Sequence, residues 1–198
     1  MRCYAENYCK KPKTECSEYC DAYRILRALY KLSRIPERYC YNIPLVPGRA
    51  DLPAFEALKN YMDCVEENVE LGEGLYIWSD RVGNGKTSWA CKIMSHYFRK
   101  IAFKSGLENE GLYIYLPTFL EDLRSSYNEE PDPEFMEVLS MMKNCKLLIL
   151  DDIGADDDFA KRKFIECYER FIEEHQNKID RYKSYVEAAL RFGGDNNV

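Results

Sequence analysis

Apolar residues recur at intervals of three and four along much of this chain, which is the spacing of amphipathic helices. The predicted helices are Asp21–Leu32, Asp51 to about Val69, Ser88–Ala102, Phe119–Arg124, Phe135–Met142 and Phe159–Phe192. Asp51 and Pro53 suit the start of the second helix as its cap and first turn. Pro36 ends the first helix, because the residue before proline disfavours helical geometry. Pro44 and Pro47 then predict an extended linker.

Short continuous apolar runs between these helices predict strands. The first is Leu75–Trp78, the second is Gly111–Leu116, and the third starts at Lys146 and ends at Asp151-Asp152. An uninterrupted apolar run of this length is typical of a parallel strand covered on both faces. Strands that alternate with helices predict the α/β fold class, with helices on both faces of a parallel sheet. Only three parallel strands are recognisable, so the predicted sheet is small.

The turn between the first strand and the third helix has the composition of a phosphate-binding loop. Gly83 and Gly85 allow consecutive backbone N–H groups to point at a phosphate chain, and the helix start adds further unpaired N–H groups. Lys86 can lie along the phosphates, and the Thr87 hydroxyl can bind Mg²⁺. The full pattern requires an earlier glycine where this chain has Asp80. The predicted ATP-binding residues are Val82, Gly83, Asn84, Gly85, Lys86, Thr87 and Ser88.

Two acidic residues at the end of the third strand complete the predicted site. Ligands bind α/β sheets at the carboxyl ends of the strands, where Asp151 and Asp152 lie. We expect Asp151 to hold Mg²⁺ together with Thr87, and Asp152 to orient or deprotonate the attacking water. Lys86 and Asp152 are therefore the predicted catalytic residues. The alternative for the two acids is a helix cap after a strand.

The first forty residues differ in composition from the rest of a chain whose net charge is -6. Basic residues outnumber acidic ones there and alternate with tyrosines, a mixture that suits single-stranded nucleic acid or an acidic protein, or else an ordinary solvated surface. Without a signal peptide or an apolar run of about 18 residues, we expect a cytoplasmic protein. Four cysteines at short spacing predict a Zn²⁺ site, the alternative being reduced thiols on a mobile tail. They are Cys3, Cys9, Cys16 and Cys20.

Together these segments resemble the DnaC-like (DnaC/IstB-type) helicase loaders of bacteria and phages, a branch of the AAA+ P-loop ATPases. The similar segments are Ile35–Tyr39, Gly83–Ala90, Leu112–Arg124 and the Walker B strand Leu147–Gly154. The resemblance implies a three-layer P-loop NTPase core, binding of Mg-ATP and of a replicative helicase in a bacterial host, and possible contacts with single-stranded DNA or a second copy. Because most ATPases with this arrangement have glutamate where Asp152 stands, and aspartate is one methylene shorter, we expect hydrolysis to be weak or partner-dependent.

The resemblance ends near residue 155, and the remaining chain lacks the sensor strand and trans-acting arginine of that family. Residues 1–40 are therefore predicted to be a cysteine-rich, zinc-binding region, 41–155 the ATPase core and 156–198 a helical tail. Two alternatives stay open. One is a zinc-stabilised protein-interaction module with a vestigial nucleotide site. The other is a small P-loop kinase, although no arginine-rich lid segment is recognisable.

Overall fold

The computed structural model describes residues 3–5, 9–10, 13–41, 44–48, 51–79, 83–104, 109–126 and 132–153. The chain divides into two units, Met1–Asp151 and Asp152–Val198. Only two described residues, Asp152 and Ile153, belong to the second unit, so all the described helices and strands belong to the first. The predicted tail helix Phe159–Phe192 lies outside the described residues. The domain boundaries predicted after residues 40 and 155 stay predictions.

Within the described residues, five of the predicted helices form, and one of these is divided in two, which gives six helices. They are α1 Asp21–Leu32, α2 Leu52–Asp63, α3 Val65–Leu71, α4 Lys86–Ile101, α5 Leu116–Ser125 and α6 Pro133–Asn144. The helix predicted from Asp51 to Val69 is divided at Cys64, whose backbone (φ -100°, ψ 12°) leaves the helical range. Short 3₁₀ turns lie at Lys13–Glu15 and Glu37–Tyr39. Within the described ranges, none of the helices is long and apolar enough to cross a membrane.

Two parallel strands form the sheet found in the described part of the chain. Strand β1 (Gly111–Tyr115) pairs with β2 (Leu147–Asp151), from Gly111 opposite Leu147 to Tyr115 opposite Asp151. The prediction of a first strand at Leu75–Trp78 is wrong, because this segment has no strand structure and its Trp78 is 72% exposed. An apolar run becomes a strand only when a neighbouring strand accepts its backbone hydrogen bonds.

The two faces of this small sheet contact different hydrophobic clusters. Successive side chains of a strand point to opposite faces. Tyr113 and Ile149 therefore lie in the larger cluster, which includes most of the buried side chains of α4. Leu112 and Ile114 lie in the smaller cluster with Val138 of α6. The sheet is thus covered by α4 on one face and by α6 on the other, as the α/β prediction requires.

Helix α1 belongs to the same core as α4 and the sheet. Its Leu26, Leu29 and Tyr30 are buried in the larger cluster, and the Tyr30 ring meets the Phe98 ring edge-on with 5.7 Å between centroids. Just after α1, the Ser33 carbonyl accepts a 2.8 Å hydrogen bond from the backbone N–H of Tyr113 in β1. The N-terminal helix is therefore fixed directly to the first strand of the sheet.

Candidate functional site

The predicted phosphate loop has the backbone that its glycines allow. Gly83 (φ +78°) and Gly85 (φ +89°) are both in the left-handed region, which a side chain would strain. Gly85 is the N-cap of α4, and its carbonyl accepts the first helical hydrogen bond from Trp89 N–H at 2.9 Å. A Cβ added at Gly85 would lie 3.6 Å from Leu45 Cδ2, an ordinary contact. Backbone conformation, and not lack of space, is therefore the reason for glycine at this position.

The first turn of α4 meets the end of β2 through a pair of side chains. The Thr87 hydroxyl lies 3.0 Å from Asp151 Oδ1 and 2.9 Å from Asp151 Oδ2, so it can donate to either carboxylate oxygen. Sixty-four residues separate these two partners along the chain. The two side chains predicted to bind Mg²⁺ are thus in direct contact.

The ammonium group of Lys86 lies over the loop that precedes it. Its Nζ donates to Asn84 Oδ1 at 3.3 Å and to the Ser79 carbonyl at 3.5 Å. Lys86 is the first residue of α4, so its charge adds to the positive end of the helix dipole. The charge of Lys86 and the positive end of α4 are thus both found at the turn that contains Thr87, an arrangement suited to an anion.

A tyrosine that sequence reasoning missed also contacts Asp151. The Tyr113 hydroxyl donates to Asp151 Oδ2 at 2.7 Å. Burial raises the pKa of Tyr113 well above its ordinary value, and the hydrogen bond to Asp151 and the charge of that carboxylate raise it further. Tyr113 is opposite Ile149 in the sheet, so it shares a face with Asp151, two residues farther along β2. Strand register is the signal that could have revealed this contact.

Cys91, one turn of α4 beyond Thr87, is another group that faces this region. It is fully buried, which raises the pKa of its thiol to about 12, and the negative charge of Asp151 contributes to the same shift. A thiol with so high a pKa stays protonated at neutral pH and is a poor nucleophile or metal ligand. Cys91 is therefore a core thiol of the larger hydrophobic cluster.

The other predicted site residues are distributed as follows. Ser88 lies half-buried in the first turn of α4, and Asn84 is exposed at the tip of the loop. Val82 lies outside the described residues. Asp152 belongs to the second unit, and its φ of +61° places a non-glycine residue in the left-handed region. Such a conformation costs about 1 kcal/mol or more and is often retained where a side chain is needed in one orientation.

The four cysteines of the predicted zinc site are free thiols with differing exposure. Cys3 and Cys9 pack against the larger hydrophobic cluster, Cys16 is exposed and Cys20 is the N-cap of α1. Within the described ranges, no group of three or more histidine, cysteine, aspartate or glutamate side chains is arranged to hold a metal ion. Zinc binding by these cysteines stays a prediction.

Comparison with known proteins finds a partial likeness. The chain is 30% identical over 105 residues to the replicative helicase loader DnaI of Bacillus subtilis. The matched region is 53% of this chain but only 30% of the Bacillus subtilis protein. No protein-family model and no solved structure matches the chain. The likeness is distant. It is to a helicase loader, which is the class of protein that the sequence motifs also resemble.

Proposed function

We propose that this chain binds Mg-ATP in the loop Gly83–Ser88 and acts in the loading of a replicative helicase during bacterial or phage DNA replication. The observation that carries the nucleotide part is the contact between Thr87 and Asp151, which joins a glycine loop to the end of a parallel strand. The distant likeness to a replicative helicase loader supports the second part.

The side chains of the site fit a magnesium-bound triphosphate. Loop N–H groups and the start of α4 would bind the phosphate oxygens, and Lys86 would move from Asn84 and Ser79 to the outer phosphates. The Thr87 oxygen can bind the metal through a lone pair while its hydroxyl proton is donated in a hydrogen bond to Asp151. Oxygen ligands of this kind are those that Mg²⁺ prefers. When bound, Mg²⁺ would neutralise charge that develops on the phosphates.

We propose that the chain is an AAA+ P-loop ATPase whose hydrolysis is slow unless a partner assists. In hydrolysis a water attacks the γ-phosphorus, and the bond between this phosphorus and the β,γ-bridging oxygen breaks. The products are ADP and inorganic phosphate. Asp152 would orient that water or accept its proton. Its side chain is one methylene shorter than glutamate, so its carboxylate reaches less far from the backbone. The helicase would contact the N-terminal forty residues, with single-stranded DNA and a second copy as further partners.

The nucleotide part is tested by changing the charged residue of the loop. We expect Lys86→Ala to weaken binding of Mg-ATP at least tenfold, because it removes the charge nearest the outer phosphates. Isothermal titration calorimetry with the full chain measures this affinity. Lys92→Ala is the matched control, because it removes another lysine charge from α4. The Lys92 Nζ lies over the Trp89 ring, 5.9 Å from the ring centre. Equal affinities of the parent and Lys86→Ala would end the nucleotide proposal.

The helicase part is tested by direct binding. The purified chain is mixed with a purified replicative helicase of a bacterial host, with and without Mg-ATP, and the mixture is separated by size-exclusion chromatography. We expect co-elution that depends on nucleotide and is weakened in the Lys86→Ala variant. ATP turnover measured with and without helicase and single-stranded DNA distinguishes an assisted ATPase from a vestigial site. Absence of co-elution in every condition would contradict a loading role.

A further inference from the structure

Asp151 has a second hydroxyl donor whose contact is shorter than either contact made by Thr87. The Tyr113 hydroxyl lies 2.7 Å from Asp151 Oδ2, whereas the Thr87 hydroxyl lies 2.9 and 3.0 Å from the two oxygens. Thr87 reaches the carboxylate from α4, and Tyr113 reaches it from β1. The Asp151 carboxylate therefore accepts hydrogen bonds from side chains of two different elements, α4 and β1.

Tyr113 is itself fixed by the fold. Its side chain is only 8% exposed and packs in the larger hydrophobic cluster with Ile149. Its backbone N–H is bound by the Ser33 carbonyl at 2.8 Å, on the side of β1 away from β2. The parallel pairing with β2 fixes the other side. Because the ring is fixed by this packing and pairing, its hydroxyl is held next to the Oδ2 atom of Asp151.

A carboxylate has room for a metal-bound water in addition to these two donors. Its two oxygens offer about four acceptor directions, and Tyr113 and Thr87 together occupy only part of them. A side chain that is already oriented loses less conformational entropy when it takes up a metal or its water. Outer hydrogen-bond partners of metal-binding carboxylates orient them in this way, and their loss typically reduces metal affinity 10–100-fold.

We propose that Tyr113 is a positioning residue that orients the Asp151 carboxylate for magnesium bound with ATP. This role rests on the proposed nucleotide site. Tyr113 does not touch the reacting atoms in this role, and acts only through Asp151. The role also connects the N-terminal helix to the site, because the residue that holds Asp151 is the one whose backbone N–H is bound by Ser33.

The experiment removes one oxygen atom from the full 198-residue chain. Tyr113→Phe retains the buried ring and loses the donor to Asp151. Binding of a fluorescent ATP analogue is titrated with Mg²⁺, and it is measured again in EDTA. We expect the Mg²⁺ concentration needed for half-maximal binding to rise about tenfold. Affinity in EDTA should change less than about twofold, because the loop and Lys86 bind the phosphates without help from Tyr113.

Tyr97→Phe is the matched control. The Tyr97 hydroxyl also donates to a carboxylate, Glu110 Oε2 at 3.0 Å, and Tyr97 is also buried. This variant loses the same kind of bond from the same core, away from the loop. We expect it to leave the Mg²⁺ dependence unchanged, so that a general loss of stability is distinguished from a change at Asp151.

The outcomes separate the two proposals. If the parent binds the analogue with Mg²⁺ and Tyr113→Phe has the same Mg²⁺ dependence, the positioning role is overturned and the nucleotide site stands. Equal weakening with Mg²⁺ and with EDTA also overturns it, because that result indicates a structural role. If the parent binds no nucleotide in either condition, the proposed function fails and the role of Tyr113 fails with it. A higher Mg²⁺ concentration for half-maximal binding in Tyr113→Phe, with affinity in EDTA unchanged, supports both.

Discussion

The two sides of the glycine loop around Gly83 and Gly85 differ sharply in how the fold holds them. Before the loop, Leu75–Ser79 has no regular structure, and its Trp78 is 72% exposed. After the loop, α4 packs into the larger hydrophobic cluster, and its Trp89 is only 8% exposed. Thr87, which contacts Asp151, belongs to the packed side. One packed flank is therefore enough to place Thr87 against Asp151, and apolar composition alone does not make the other flank a strand.

The difference has an energetic consequence. Burial of an apolar side chain contributes about 1.5–3 kcal/mol relative to exposure in water. Cys91, Met94 and Phe98 of α4 are all fully buried. On the other side of the loop, Tyr76 and Trp78 remain more than half exposed. We therefore expect substitutions to have large effects on stability after the loop and small effects before it.

The largest expected effect is that of Phe98→Ala. Phe98 is fully buried, meets the Tyr30 ring and would lie 2.9 Å from a Cβ added at Gly111. Its loss leaves a cavity between α1, α4 and β1, which we expect to cost about 3–5 kcal/mol of the free energy of unfolding. Urea denaturation followed by circular dichroism measures this. Phe103→Ala is the control, because Phe103 is 71% exposed; similar losses in the two variants would contradict the packing of α4.

A smaller effect is expected at alkaline pH. Burial raises the pKa of Cys91 from 9.0 to about 12, so the folded state keeps a proton that the unfolded state loses above pH 9. The contribution of Cys91 to stability is thus complete below pH 9 and is lost as the pH rises towards 12. The free energy of unfolding should fall by about 1 kcal/mol between pH 8 and pH 10 through this group.

The Cys91→Ala variant isolates that contribution. The free energy of unfolding is measured by urea titration at pH 8 and at pH 10. Its decrease between these two pH values should be about 1 kcal/mol smaller for Cys91→Ala than for the parent. For Cys64→Ala, at an exposed position between α2 and α3, the free energy of unfolding should decrease by the same amount as for the parent. An identical pH dependence for the parent and Cys91→Ala would show that the thiol is accessible to water and that this part of α4 is loosely packed.

The smallest expected effect is that of Trp78→Ala. Because this side chain is mostly exposed, we expect the free energy of unfolding to change by no more than about 0.5 kcal/mol, as for other surface positions. Urea denaturation under the conditions used for Phe98→Ala makes the two values comparable. A loss of about 2 kcal/mol would remove the contrast between the two flanks, since it would show that Leu75–Ser79 is packed.

Most of the helices could be predicted from the sequence, because their spacing is a local property. The bounds of α1 agree with the prediction at both ends, and β1 differs by one residue. The division at Cys64 could not be predicted, because neither proline nor glycine marks it. Cys64 itself is exposed, whereas the next residue, Val65, is fully buried. Burial of Val65 depends on tertiary contacts of α3 with α4, which a local pattern does not contain.

The candidate site was predictable to the extent that its motifs are continuous in sequence. The glycine loop and the acidic end of β2 are both local patterns, and the contact between Thr87 and Asp151 follows once both lie at the same edge of a parallel sheet. The contact of Tyr113 with Asp151 depends on the register between β1 and β2. A shift of one residue would have pointed that tyrosine to the opposite face.

The unequal exposure of Trp78 and Trp89 gives this protein two natural fluorescent reporters. They are the only tryptophans in the sequence, and one precedes the glycine loop while the other follows it. Trp89 should emit at shorter wavelength and resist acrylamide quenching, whereas Trp78 should emit like an indole in water. Changing either one to phenylalanine leaves the emission of the other, so that each edge of the loop can be followed separately during a titration without an attached dye.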